Sequence, residues 1–113
     1  MPFLVTAVIK PYKLDDVKDA LQGGGIPGLT VSEVQGHGRQ GGKTETFRGA
    51  EYQVDLVPKV RLDLVVESAS VDRAIGLIAD AAQTGKIGDG KIWAIDLDRL
   101  QRVRTGEVGE DAV

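Results

Sequence analysis

A glycine-rich segment near the end of the chain, TGKIGDGKIWAI at residues 84–95, has the residue types of a phosphate-binding loop. Gly85, Gly90 and Lys91 have the spacing of a Walker A motif, but Ile92 stands where that motif requires Ser or Thr. A Walker A loop follows a strand and opens a helix, whereas here a helical pattern precedes the segment and a strand pattern follows it. Context and chemistry therefore exclude a P-loop.

Two interpretations of the segment remain open. Glycines at positions 85, 88 and 90 allow main-chain amides to turn toward an anion, and Lys86 and Lys91 add positive charge. The alternative is a helix C-cap at Gly85 followed by a plain glycine turn into the strand.

Further cations follow in RLQRVRTGE, where Arg102 and Arg104 are predicted to lie on the same side of an extended segment. The planar guanidinium suits phosphate oxygens, although such arginines also occur at solvated or interface edges. Only together with the glycine-rich segment would they form a triphosphate site.

The elements that must position these residues follow from hydrophobic periodicity. Strands are predicted at residues 3–9, 29–34, 60–67 and 91–97, and helices on the apolar stripes that start at Leu14 and Val71. The order β-α-β-β-α-β predicts an α+β, ferredoxin-like sandwich. About twenty polar, glycine-rich residues separate the second and third strands, far more than a hairpin needs.

Strand 3–9, FLVTAVI, is apolar on both faces, yet two helices cover only one face of a ferredoxin-like sheet. We therefore expect a homo-oligomer in which another subunit covers the open face. Phe3 and Trp93 are predicted to be packing residues.

Composition narrows the function classes. The 113 residues include no Cys and one His, which excludes thiolate sites and makes imidazole metal sites improbable. A formal charge of −3 argues against general nucleic-acid binding. No membrane span or signal peptide is readable, so a cytoplasmic location is expected.

Several motifs together resemble the PII signal-transduction family over nearly the whole chain. These are KPYKLDDVKDAL, LTVSEVQGHGRQ, TETFRGAEYQVD, VPKV, TGKIGDGKIW and RVRTGE, in the family's order and spacing. The resemblance implies one ferredoxin-like domain over residues 1–113, a homotrimer, and a regulator of nitrogen metabolism that senses ATP, ADP and 2-oxoglutarate at clefts between subunits.

The resemblance also assigns roles to particular residues. Residues 84–91 correspond to the family's B-loop, and the C-terminal segment spans about 102–113. Arg102 and Arg104 are expected to reach into the neighbouring subunit's site. The residues expected at the nucleotide are Thr30, Gly38, Arg39, Thr84, Gly88, Asp89, Gly90, Lys91, Arg102 and Arg104.

Two further residues match the family's effector site. Gln40 corresponds to the residue that gives magnesium an oxygen ligand, the others coming from phosphates and 2-oxoglutarate. Lys59 corresponds to the residue that pairs with the acid's distal carboxylate; without the resemblance it would be interpreted as a surface lysine. Binding of 2-oxoglutarate is therefore expected to require MgATP.

Residues 38–57 correspond to the flexible T-loop, which contacts ammonium transporters and enzymes of glutamine metabolism. Arg48 matches the arginine that plugs the transporter pore, so membrane association is expected only through a transporter. Tyr52 matches the tyrosine that a nucleotidylyltransferase modifies in several lineages.

The sequence departs from the family pattern in this loop. Gly41 and Lys43 replace the usual Lys and His, which adds flexibility and relocates a charge. Phe47 replaces a frequent tyrosine and Ala50 a serine that some members phosphorylate, so neither position can be modified in that way.

Two other function classes have less support in the sequence. A slow nucleotide-hydrolysing enzyme would need a general base, and Asp89 is the one acidic side chain within the glycine turn. An RNA-binding module of this fold would need aromatic residues on exposed strands, and VRLDLVVE has none. A non-catalytic sensor is therefore the favoured function.

Overall fold

Six strands and two helices form the part of the chain that the structure describes. The structure is a computed structural model that describes residues 1–37, 43–47, 50–54 and 56–113, with side chains described outside 38–55. The elements are β1 (Pro2–Ile9), α1 (Leu14–Gly23), β2 (Thr30–Gly36), β3 (Lys43–Phe47), β4 (Ala50–Val54), β5 (Val57–Glu67), α2 (Val71–Ala82) and β6 (Gly90–Asp96). Neither helix of this described part is long and apolar enough to cross a bilayer.

Four strands form one sheet in the order β2-β5-β1-β6, and each pair of adjacent strands is antiparallel. The helices α1 and α2 connect strands that are not adjacent in the sheet, which is the ferredoxin-like arrangement. The α+β prediction is therefore confirmed.

Strand alternation directs one set of apolar side chains toward the helices. Val5, Ala7 and Ile9 of β1 are opposite Leu64, Leu62 and Val60 of β5, and all six side chains are buried. The helices complete the core with Val17 and Leu21 from α1 and Ala74, Ile78 and Ala82 from α2. Burying each larger aliphatic side chain contributes about 1.5–3 kcal/mol, so this face dominates the stability.

The opposite face of the sheet, which we call the open face, carries the other alternation set. Its apolar members include Leu4, Val8, Val34, Val57, Val65, Trp93 and Ile95, of which Trp93 and Ile95 are 41% and 52% exposed. That Trp93 is a packing residue stays a prediction, because its strand parity points it to the open face, which the expected oligomer would cover. Phe3 does pack against the core.

A polar cluster lies within the open face. Thr6 donates a hydrogen bond of 2.8 Å to Asp63 Oδ1, and Arg61 Nε donates one of 2.9 Å to Asp63 Oδ2. These bonds, chiefly the one from Arg61, lower the pKa of Asp63. The cluster keeps a charged pair ordered among apolar neighbours.

The polar, glycine-rich segment between β2 and β5 contains a strand pair that periodicity did not indicate. β3 and β4 pair as an antiparallel hairpin, and β5 begins at Val57, three residues before the strand predicted at 60–67. The β-branched and aromatic residues of KTETF and AEYQV favour this pairing despite their polarity.

Gly90 marks a close approach of β6 to β1. It lies opposite Ile9 with φ +102°, and a Cβ built on it would overlap the carbonyl oxygen of Val8. Any other residue would require both a left-handed backbone and a displaced neighbouring strand.

We therefore expect Gly90→Ala to destabilise the protein by about 2–5 kcal/mol, through the backbone penalty and the overlap together. The matched control is Gly76→Ala in α2, where a Cβ meets no atom and the better helix propensity should add about 0.5–1 kcal/mol. Urea unfolding at equal protomer concentration measures both changes. Equal stability of Gly90→Ala and the parent chain would contradict the close approach.

Candidate functional site

The glycine-rich segment connects α2 to β6 at the end of the sheet where β1 finishes at Ile9. Helix α2 ends at Ala82, and its C-cap is Gln83 in an extended conformation. Gly85 is therefore not the helix cap, and the C-cap alternative is wrong. Residues 84–89 instead form a separate loop, which we call the glycine loop.

The Asp89 carboxylate lies inside the glycine loop rather than facing solvent freely. Its Oδ2 accepts hydrogen bonds from the backbone N–H of Thr84 at 2.8 Å and of Gly85 at 2.9 Å. Its Oδ1 accepts a hydrogen bond from the Thr84 hydroxyl and forms an ion pair of 3.2 Å with Lys10 Nζ. Hydrogen bonds from Thr84, Gly85 and Lys10 hold the pKa of Asp89 well below its ordinary value.

The Thr84 hydroxyl also makes every hydrogen bond that it can. It donates its proton to Asp89 and accepts from Lys10 Nζ at 3.2 Å and from the Lys86 N–H at 3.2 Å. A hydroxyl has one proton and two lone pairs, so the hydrogen-bonding capacity of this side chain is used completely. The side chain of Thr84 thus shapes the loop, and contact with a ligand would require breaking one of these bonds.

The next part of the loop has unused donors. The backbone N–H groups of Ile87, Gly88 and Asp89 make no hydrogen bond to any other described residue. Gly88 has φ +94°, which turns the chain so that consecutive amides are presented together. The side chain of Lys91, two positions after Asp89, is exposed. This combination of free amides and a cation can bind a phosphate or carboxylate.

Lys59 lies beneath the loop and is 9% exposed. Its Nζ donates a hydrogen bond of 2.6 Å to the carbonyl oxygen of Gly88. Burial lowers the pKa of Lys59, as does nearby Lys10, while Asp89 acts in the opposite direction. An ammonium in this position has no carboxylate hydrogen-bonded to it among the described residues, so an anionic ligand would be favourable there.

Three of the predicted ligand residues share the open face. Thr30 is opposite Asp63 across β2 and β5, Lys59 belongs to the same alternation set, and Lys91 is opposite Val8. Their common orientation follows from strand parity. A ligand held by all three would lie on the side of the sheet that the helices do not cover.

The two arginines do not join this group within one chain. They follow β6, which separates them from the glycine loop by about 20 Å at 3.3 Å per residue. Between β6 and the arginines, the Leu97 N–H donates a hydrogen bond to the carbonyl of Pro2, which lies at the opposite end of β1 from Ile9. A single chain therefore leaves the arginines and the loop at different ends of the sheet.

Arg102 and Arg104 also have a different local structure from the one predicted. They lie in or beside a turn at residues 103–105. Two backbone hydrogen bonds close this turn, from the Arg102 N–H to the Glu107 carbonyl and from the Gly106 N–H to the Arg102 carbonyl. The prediction of an extended segment is therefore wrong. Gly106, at φ +75°, permits the turn. The Arg102 guanidinium pairs with Glu107 at 2.9 Å.

The remaining predicted residues cannot be placed. Gly38, Arg39, Gln40 and Arg48 lie outside the described residues, and Tyr52 lies in β4, where the side chain is not described. Within the described part of the chain, no group of three or more His, Asp or Glu side chains could hold a metal ion.

A cleft of about 280 Å³ lies beside the glycine loop between the end of α2 and β6. Ile9 and Ile92 in its lining belong to the core-facing alternation set, so the cleft lies on the helix-covered side of the sheet and not on the open face. A larger cleft of about 400 Å³ lies beside Met1 and Gln101, at the opposite end of the strands, without contact with the loop.

The sequence predicted no role for Lys10, although its ammonium contacts both the Asp89 carboxylate and the Thr84 hydroxyl. Strand parity places it on the same face as Thr6 and Val8, which was a usable signal. Its proximity to Asp89 depends on the β1–β6 register, however, and a sequence does not reveal that register.

The lowered pKa of Asp89 predicts how loop stability depends on pH. A depressed carboxyl pKa contributes stability that is present above the unfolded pKa of about 3.9 and is lost as pH falls through the folded value. Asp89→Asn should therefore be less stable than the parent chain at pH 7. The difference between the two should shrink on acidification below about pH 4.

Chemical unfolding at a series of pH values measures this difference. Asp80→Asn, at an exposed position of α2 without a described ion pair, is the control for removing one carboxylate, and the gap for Asp89→Asn is compared with it at each pH. A constant gap for Asp89→Asn from pH 7 to pH 2 would show that its charge is irrelevant.

Comparison with known proteins identifies the family of this chain. The sequence profile described as Nitrogen regulatory protein P-II matches residues 3–107. The chain is 58% identical over 109 residues to a nitrogen regulatory protein P-II of Rhodobacter capsulatus, across 96% of this chain and 97% of the relative. It is 53% identical over 110 residues to nitrogen regulatory protein GlnK of Escherichia coli (strain K12), across 97% and 98%.

A solved structure shows the same fold. The crystal structure of Arabidopsis thaliana PII bound to citrate superposes with a TM-score of 0.81 at 37% identity, covering 99% of this chain and 92% of that one. Profile, sequence relatives and structure all cover nearly the full length. This chain belongs to the nitrogen regulatory protein P-II family.

Proposed function

We propose that the protein is a non-catalytic sensor that regulates nitrogen metabolism in the cytoplasm. It binds ATP or ADP, and with magnesium also 2-oxoglutarate, in clefts between the subunits of a homotrimer. Residues 38–57 carry the ligand state to partner proteins. Residues 84–91 and 102–113 supply the two halves of each nucleotide site.

The observation that carries this proposal is the separation of the phosphate-binding groups. The glycine loop offers free amides at 87–89, and the cationic turn holding Arg102 and Arg104 lies at the other end of β6. One chain cannot bring the two together, whereas a neighbouring copy seated on the open face could. The exposed apolar residues of that face favour such a neighbour.

The 2-oxoglutarate site is proposed to use Lys59. Its buried ammonium donates to the Gly88 carbonyl, so a carboxylate arriving beside the loop would give it a charged partner. Gln40 and the ligand oxygens would hold magnesium, which would join the acid to the nucleotide phosphates. This is why the acid should require MgATP.

Partner control is proposed to depend on residues 38–57. Arg48 would enter an ammonium-transporter pore, and Tyr52 would accept a nucleotidyl group from a nucleotidylyltransferase. Enzymes of glutamine metabolism are the other expected partners. Ligands can shift this segment only by binding one of its conformations more tightly than another.

The alternative of a slow nucleotide-hydrolysing enzyme is less well supported. Asp89, the acidic side chain within the glycine turn, uses both carboxylate oxygens for Thr84, Gly85 and Lys10. A general base needs a free, proton-accepting oxygen near the attacking water. The geometry assigns Asp89 to loop structure instead.

Calorimetry tests the ligand linkage. We expect 2-oxoglutarate to bind only when ATP and Mg²⁺ are both present. Lys59→Met should lose acid binding by at least about tenfold, because a buried charged hydrogen-bond partner disappears. Lys18→Met, on the exposed face of α1, is the charge-matched control. Full 2-oxoglutarate binding without nucleotide would contradict the mechanism.

Light scattering and fluorescence test the assembly. A trimer should bury Trp93, the one tryptophan of the sequence, and shift its emission to shorter wavelength than in the dissociated chain. Ile95→Glu places a charge on the open face and should yield monomers with red-shifted emission. Tyr12→Glu, 69% exposed in the 3₁₀ turn before α1, should remain trimeric. A trimer in Ile95→Glu would show that the open face is not the interface.

A further inference from the structure

We propose that Lys10 is a positioning residue of the nucleotide site: it neutralises Asp89 and so keeps the glycine loop able to accept phosphate. The inference rests on the proposed function, because the ligand it concerns is the nucleotide. It adds a residue from β1's end to a site otherwise built from the glycine loop, β2, β5 and the cationic turn.

The contacts of Lys10 are specific. Its side chain is 11% exposed, and its Nζ lies 3.2 Å from Asp89 Oδ1 and 3.2 Å from Thr84 Oγ1. A flexible lysine at the surface would sample many positions, whereas burial of the stem restricts this one. The ammonium is thus committed to the two side chains that define the loop's shape.

The charge of Asp89 explains why such a partner is needed. An uncompensated carboxylate next to the free amides of residues 87–89 would repel the phosphates that those amides are placed to bind. Lys10, at the end of β1, neutralises that charge through its ion pair with Asp89. Lys91 then remains available to face the ligand.

The role is one of positioning rather than direct contact or general scaffolding. Two of the three Nζ donors already have partners within the loop, so little capacity remains for a phosphate oxygen. The strand pairing of Ile9 with Gly90 holds the loop base independently of the lysine. Removing Lys10 should therefore disturb the charge and shape of the loop while the fold survives.

A double-mutant cycle tests the inference, with MgATP affinity measured by calorimetry at fixed ionic strength. Lys10→Met should weaken MgATP binding by about tenfold or more, since it leaves Asp89 uncompensated. Lys10→Arg, which keeps the charge, should retain most of the affinity. Lys18→Met is the charge-matched control and should bind as the parent chain does.

The decisive variant is Lys10→Met combined with Asp89→Asn. It removes the negative charge, and the amide of the new asparagine can donate to Thr84 Oγ1 in place of the lost ammonium. Binding should return to within about threefold of the parent chain. Thermal unfolding confirms that each variant is folded. The NMR chemical shift of the Gly85 backbone amide reports whether the loop keeps its shape.

The outcomes are distinguishable. Parent-like binding by Lys10→Met overturns the inference alone, and a loss that Asp89→Asn fails to rescue shows that Lys10 is a direct ligand or a scaffold instead. If the parent chain itself ignores MgATP, the proposed function falls and the inference falls with it.

Discussion

The close approach of β6 to its neighbour β1 at Gly90 is the constraint on which the candidate site depends. Because Gly90 has no Cβ, its backbone can lie against Val8 and pair with Ile9. That register places the glycine loop directly over the end of β1, so Lys10 meets Asp89. The loop's electrostatics are therefore a consequence of strand packing.

The glycine loop combines two opposite conditions within six residues. Asp89 and Thr84 have used their full hydrogen-bonding capacity, which fixes the first half of the loop without any ligand. The amides of residues 87–89 have no partner among the described residues. A rigid frame beside unsatisfied donors is preorganised for an anion, because little conformational freedom is lost on binding.

Periodicity predicted the fold well because most of its information is local. The alternation of VRLDLVVE and the stripe from Val71 to Ala82 each depend on neighbours within a few residues. Helix α2 spans that stripe, and β5 contains the alternating residues, although it begins earlier, at Val57. Misjudged features depend on other information. The turn after Arg102 needs the positive φ of Gly106, and the β3–β4 hairpin forms from polar strands whose pairing outweighs their weak hydrophobic pattern.

The candidate site was predictable in part for the same reason. Lys59 and Lys91 could be identified from motifs that lie along the chain, but their shared face required the strand register. The open face was anticipated from strand 3–9 alone, whereas the position of Trp93 on that face required the β1–β6 register. Lys10 was missed since its partner lies 79 positions away and is reached only through tertiary structure.

The pairing of Gly36 with Val57 has a consequence for how the chain tolerates change. The excursion between β2 and β5 begins and ends on adjacent strands, so its two ends are clamped about 5 Å apart whatever happens between them. Closure entropy grows only with the logarithm of length, and doubling the excursion would cost about 0.6 kcal/mol. The length and sequence of this segment can therefore change while the stability of the sheet changes little.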